Sequence, residues 1–163
     1  MLRRWWAGVV LAVLVLAGCS VDPSHVTDGP QAPTGVAPGV TLYFLDARGE
    51  LVPQQRDTGR LDTIPAAIAL LLTGPGHSGL RSAIAPELIS RVGVTQTPGL
   101  IELQVPWTVT DLGADGIDQV VCTVLGVHVQ SGGSPATRVR LGFVQDTPES
   151  QVERGCPLIS PDG

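Results

Sequence analysis

Thr63-Ile64-Pro65-Ala66-Ala67-Ile68-Ala69-Leu70-Leu71-Leu72-Thr73-Gly74-Pro75 is the stretch on which the fold class turns. Ile64, Ile68, Leu71 and Leu72 fall at i, i+4, i+7 and i+8, which is one face of a helix and not the alternation of a strand. Asp62 or Thr63 offers a capping oxygen, Pro65 sits in the first turn where its missing amide is harmless, and Gly74-Pro75 stops the run. The spacing predicts a compact amphipathic helix.

Outward from that helix the period changes. Val40–Leu45 is an apolar and aromatic run, Arg48-Gly49-Glu50 supplies turn chemistry, and Leu51–Arg56 continues extended, so an opening hairpin is expected. Beyond the helix, a loop with Gly76, Gly79 and Ser82 leads to a strand expected at residues 88–94 and a turn at Thr97-Pro98-Gly99. Ile101, Leu103 and Val105 then alternate with Glu102 and Gln104, a half-exposed strand. Ile117, Val120, Val121 and Val124 restore helical spacing, with Cys122 off that stripe. Val139, Leu141 and Phe143 alternate with Arg138, Arg140 and Gly142 in a last strand. Residues 145–163 read as an irregular tail. The order ββαββαβ predicts one α+β domain over residues 40–144, a two-layer sandwich with both helices on one face of a mixed sheet.

The 163 residues are 43% hydrophobic and 15% charged, with ten cationic residues against fifteen acidic ones for a net charge of −5. That balance excludes a polybasic nucleic-acid binder and a highly charged disordered tail. Every cationic residue is Arg and there is neither Lys nor Asn, which reflects a GC-rich bacterial genome and carries no mechanism.

The N-terminus reads as an export signal. Arg3 and Arg4 precede an apolar run over residues 7–17, too short to span a membrane before the polar, Pro-containing stretch that starts at Ser20. Leu16-Ala17-Gly18-Cys19 matches the bacterial lipobox. On that likeness residues 1–18 are a lipoprotein signal peptide, and Cys19 takes a thioether-linked diacylglyceryl group with fatty chains such as palmitate, acylation of its freed amine being left open. Each buried methylene contributes about 0.8 kcal/mol, so two or more chains anchor stably where one does not. The expected location is the outer face of the cytoplasmic membrane. Cleavage leaves eight cationic residues against fifteen acidic ones, a net charge of −7. Residues 19–39, with Pro23, Pro30, Pro33 and Pro38 among them, read as a tether. In polyproline geometry, at about 3.1 Å per residue, it reaches up to roughly 60 Å from the bilayer.

With Cys19 lipidated, Cys122 and Cys156 remain, in a compartment that does not keep thiols reduced. A disulfide is the favoured pairing. It closes a loop of about 35 residues, for which chain entropy gives about 3–4 kcal/mol, and staples the tail to the second helix. The rival reading, a cysteine nucleophile, has no His beside either residue in sequence.

Leu42-Tyr43-Phe44, the run Ala69-Leu70-Leu71-Leu72-Thr73-Gly74-Pro75, Gly79-Leu80-Arg81-Ser82-Ala83-Ile84 and Gln119-Val120-Val121-Cys122-Thr123, in that order and spacing, resemble the GerMN domain, a family named for sporulation and spore germination. The resemblance spans residues 40–144. It implies tethering at the outer side of the cytoplasmic membrane, as in some actinobacterial lipoproteins, and a fold related to ring-building domains of secretion-type assemblies. It therefore implies protein association and no established catalytic residues. Cys122 inside the Gln-to-Thr stretch departs from the pattern and, with Cys156, suggests a subgroup with a stapled tail.

Other chemistries find little support. Gly74-Pro75-Gly76-His77-Ser78-Gly79 satisfies G-x-G-x-x-G literally, but a dinucleotide site needs a strand before it and a helix opening from it. His77-Ser78 lacks the G-x-S-x-G elbow of a hydrolase. His77 and His128 are far apart, and Asp111, Asp115 and Asp118 lack the alternation of a calcium loop, so neither a metal nor a cofactor is expected. Trp107 is read as core or as a partner anchor, and Arg138 and Arg140 as solvated or, on an exposed edge strand, as contacts for an acidic partner. The leading expectation is a non-enzymatic, lipid-anchored envelope protein that binds another protein in assembly or signalling. A lipid- or glycan-binding carrier with a cavity between sheet and helices is the alternative, and an envelope hydrolase the third.

Overall fold

The computed structural model describes residues 39–59, 63–85 and 91–159. The segment expected to be a signal peptide, Cys19 and residues 20–38 of the expected tether lie outside the described residues.

Val40–Leu45 forms β1 and Leu51–Arg56 forms β2, an antiparallel pair in which Tyr43 faces Pro53. In the connecting turn the Asp46 carboxylate accepts the amides of Arg48 at 2.8 Å and Glu50 at 2.9 Å, and Gly49 takes φ 87°. These donors, Glu50 first, hold the Asp46 carboxyl below its ordinary pKa. Pro53 fits because its side of the strand makes no ladder bond. The Tyr43 and Leu45 amides turn away from β2, to Thr123 Oγ1 at 3.2 Å and to the Arg81 carbonyl at 2.9 Å. Thr63 caps the helix Ile64–Leu72 (α1) by accepting from the Ala66 amide at 3.4 Å, and Gly74 at φ 82° follows its end. The apolar stripe read from the sequence is buried along this helix.

Gly93–Thr97 (β3) and Leu100–Gln104 (β4) form a hairpin through Pro98-Gly99, where Gly99 takes φ 80°. The long helix Val109–Gln130 (α2) follows, then Arg138–Gly142 (β5) parallel to β4. A 3-10 turn over Pro148–Gln151 leads to Glu153–Arg154 (β6), antiparallel to β5. α2 opens with a capping box between Thr108 and Asp111 and departs from helical geometry at Gly113, φ 62°. It is long and apolar enough to cross a membrane by length and composition, yet most of its apolar residues are buried inside this domain.

Among the described residues the protein is α+β with two helices, and three expectations need correction. The strands form two sheets, β1-β2 and β3-β4-β5-β6, instead of one. The physical reason is local: the open side of β1 is taken up by the Thr123 hydroxyl and a bridge to Arg81, so no strand extends it. The strand expected at residues 88–94 is β3, set by the Pro98-Gly99 hairpin, while residues 88–90 lie outside the described set. The tail after Gln145 contributes a 3-10 turn and β6, which extend the order ββαββαβ. Arg154 fixes that tail, pairing with the Glu149 carboxylate and donating to the Val152 carbonyl at 3.0 Å.

Candidate interaction surface

Strand alternation sorts the four-stranded sheet. Ile101 and Leu103 of β4 and Val139 and Leu141 of β5 point inward and are fully buried. Glu102, Gln104, Arg138, Arg140 and Gly142 therefore face outward. Across the register, Arg140 lies beside Glu102 and opposite Glu153, forming an ion pair with Glu102 and a longer one with Glu153 at 3.8 Å. The hydrogen bond to Glu102, more than any other factor, pushes the Arg140 guanidinium above its ordinary pKa. Arg138, half-buried on the same face, has no side-chain hydrogen bond or ion pair among the described residues.

Beyond this charge ladder Gln104 leans over Gly142, so that a Cβ there would lie 2.5 Å from Gln104 Nε2. Beside it lies a polar cleft of about 230 Å³ lined by Gln104, Gly142, Asp146, Ser150 and Gln151. Ser150 is buried and its Oγ has no partner among the described residues. A second, more apolar groove of about 370 Å³ runs between the start of α1 (Ile64, Pro65), Val94 and Gln96 of β3, and the end of α2 (Val127, His128). His128 Nε2 lies 3.1 Å from Thr137 Oγ1, and its ring fills the space a Cβ at Gly133 would need.

The singled-out residues separate. Cys122 and Cys156 are joined in a disulfide, both fully buried, with Cα atoms 4.8 Å apart. Cys122 lies off the apolar stripe of α2, as read from the sequence, and is buried beneath the tail it anchors. Trp107 is fully buried and offers no surface to a partner. Arg138 and Arg140 face solvent, but β5 lies between β4 and β6 and is not an edge. The G-x-G-x-x-G stretch follows α1 as a loop with Gly74, Gly76 and Gly79 at positive φ, and Ser78 Oγ donates to the Pro75 carbonyl at 3.0 Å. Asp111 is engaged by the Thr108 amide at 2.8 Å, which lowers its pKa. Partial burial first, then Asp115, raises that of Asp118, against the pull of Arg154. Among the described residues no group of three or more His, Cys, Asp or Glu side chains is placed to hold a metal. Trp107, Leu103, Leu125 and Leu141 are fully buried in the core, and the apolar opening described between helices and four-stranded sheet is the groove beside Val94 and Val127.

Two residues of the Gln-to-Thr stretch have roles the sequence reading did not assign. Gln119, fully buried, accepts from the Ala83 amide at 3.0 Å and donates to Ser82 Oγ at 3.1 Å. Thr123, four residues on, accepts from the Tyr43 amide. Two polar side chains at i and i+4 within an apolar helix were the available signal, because buried polar groups need partners.

No family model matches the sequence, and no curated protein does. A search of solved structures finds the tandem GerMN domains of the sporulation protein GerM from Bacillus subtilis, with a TM-score of 0.47 and 21% identity over 74% of this chain. The chain spans 43% of the length of that protein.

Proposed function

We propose that this chain is a lipid-anchored protein of the outer face of the cytoplasmic membrane whose folded domain associates with another envelope protein and performs no chemistry of its own. The observation that carries the compartment is the buried Cys122–Cys156 disulfide, since structural disulfides persist where thiols are not held reduced. The lipobox at Cys19 supports the same side of the membrane. On the folded domain, polar side chains serve the fold: Gln119 holds a loop, Thr123 the edge of β1 and Asp111 a helix end. Arg138 is the contact we assign to an acidic partner, because Arg140 is already engaged by Glu102 and Glu153.

The test is cross-linked co-purification of the full chain from membranes at native expression level, beside Arg138→Glu. A stoichiometric protein that disappears in the variant, with thermal unfolding unchanged, is the expected result. Recovery of the same protein with both chains would remove Arg138 from the contact, and recovery of none would overturn the association reading. The polar cleft beside Gly142 favours a second reading, a glycan-binding lipoprotein. A defined sugar retained through the same purification, and lost in Gly142→Leu, would put that reading first.

A further inference from the structure

The backbone phase of the four-stranded sheet can be read from its ends. The Gly99 carbonyl accepts from the Arg138 amide and the Val105 amide donates to the Gly142 carbonyl, so the odd-numbered residues of β4 bond toward β5. Leu100, Glu102 and Gln104 therefore bond toward β3, meeting Thr97, Thr95 and Gly93. The amides and carbonyls of Val94 and Gln96 are left pointing out of the sheet.

Such an edge pairs with other strands unless something blocks it. The other edges are guarded. β1 is closed by Thr123 and Arg81, and β6 has only two residues. The outward row of β2 is Leu51, Pro53 and Gln55, and Pro53 removes the central donor. β3, Gly93-Val94-Thr95-Gln96-Thr97, contains no charge and no proline, and all of it but the half-buried Val94 is exposed.

We propose that β3 pairs with β3 of a second copy of this chain, antiparallel about a two-fold axis at Thr95. In that register Val94 meets Gln96 of the other copy twice, forming four backbone hydrogen bonds, while Thr95 faces Thr95 as the non-hydrogen-bonded pair. No like charges meet, and opposed threonines are a favourable cross-strand pair. Any register that slips by an odd number of residues would mismatch the outward amides. The inward side chains of the added strand, Val94 and Gln96, turn toward the 370 Å³ groove that the first copy's Val94 and Gln96 line with α1 and α2. This deepens the reading of the domain as an association module.

A five-residue edge buries less than the roughly 1,200 Å² of a stable interface, so the test must trap a weak pair. Opposed non-hydrogen-bonded residues have Cα atoms about 4.5 Å apart, inside the range of about 4.4–6.8 Å that a disulfide spans. At about 3.4 Å per residue, Thr97 lies about 14 Å from its own copy in the same register. In the full chain carrying Cys19→Ser, in detergent, Thr95→Cys is expected to form disulfide dimers on mild oxidation while Thr97→Cys stays monomeric. Sedimentation of the chain without added cysteine is expected to show a concentration-dependent monomer–dimer equilibrium that Thr95→Arg abolishes. Equal cross-linking of the two cysteine variants, or none with Thr95→Cys, overturns the proposal. Either failure leaves the Arg138 experiment intact, so the two readings fail separately.

Discussion

Gln119 and Thr123 show how much a single helix residue can hold. Each offers a polar group to a backbone amide shielded from water, partly in the 82–84 loop and fully in β1. Gln119→Met keeps the volume and leaves the Ala83 amide without a partner, a loss expected at about 1–3 kcal/mol in urea unfolding. Asp118 runs the other way. Its folded pKa is raised, chiefly by partial burial and then by Asp115, so the native state holds this proton more tightly than the unfolded chain. Stability from this group therefore falls as pH rises from the unfolded pKa through the raised folded one. Asp118→Asn is expected to raise the melting temperature near neutral pH, with the gain shrinking once Asp118 is protonated in acid. A gain that is the same at both pH values would show that titration is not its source. At this scale the sequence was legible where pairing is forced, as with Cys122 and Cys156 once Cys19 is set aside. Trp107 was not, because an aromatic after a proline at a strand end suits a core and an interface equally.

At the scale of elements, local signals were the legible ones. The ends of α1 are written into Thr63, Pro65 and Gly74, which act within a few residues of themselves. Strand partners are set at long range and were not. Nothing in Val40–Leu45 announces that its free side will be closed by a helix hydroxyl, and the sheet count followed from that. Glu153–Arg154 has no periodicity to read. It is positioned by Arg140, by the pairing of Arg154 with Glu149 and by the disulfide at Cys156 two residues on. Removing the disulfide with Cys122→Ala and Cys156→Ala is expected to cost about 3–4 kcal/mol. Hydrogen exchange in that variant should rise first at residues 148–156. Protection there equal to that of the unaltered chain would show that the tail packs without its staple.

For the whole molecule, the α+β class was legible from hydrophobic period, while the compartment is a proposal that rests on the pattern of cysteines. The outer face of the four-stranded sheet was less legible. Arg138 and Arg140 were visible as a pair, but only the register shows that Arg140 is spent on Glu102 and Glu153 while Arg138 stands apart. Likewise the cleft beside Gly142 depends on Gln104, a neighbour only in space. A disulfide staples the domain, and the proposed function requires that Cys19 hold it to the outside of a membrane. Intact-mass analysis of the protein extracted from native membranes tests that most directly. The expected species begins at Cys19, carries a diacylglyceryl group there and lacks the two thiol hydrogens of Cys122 and Cys156. A soluble species that retains residues 1–18, with both thiols free to react, would contradict it.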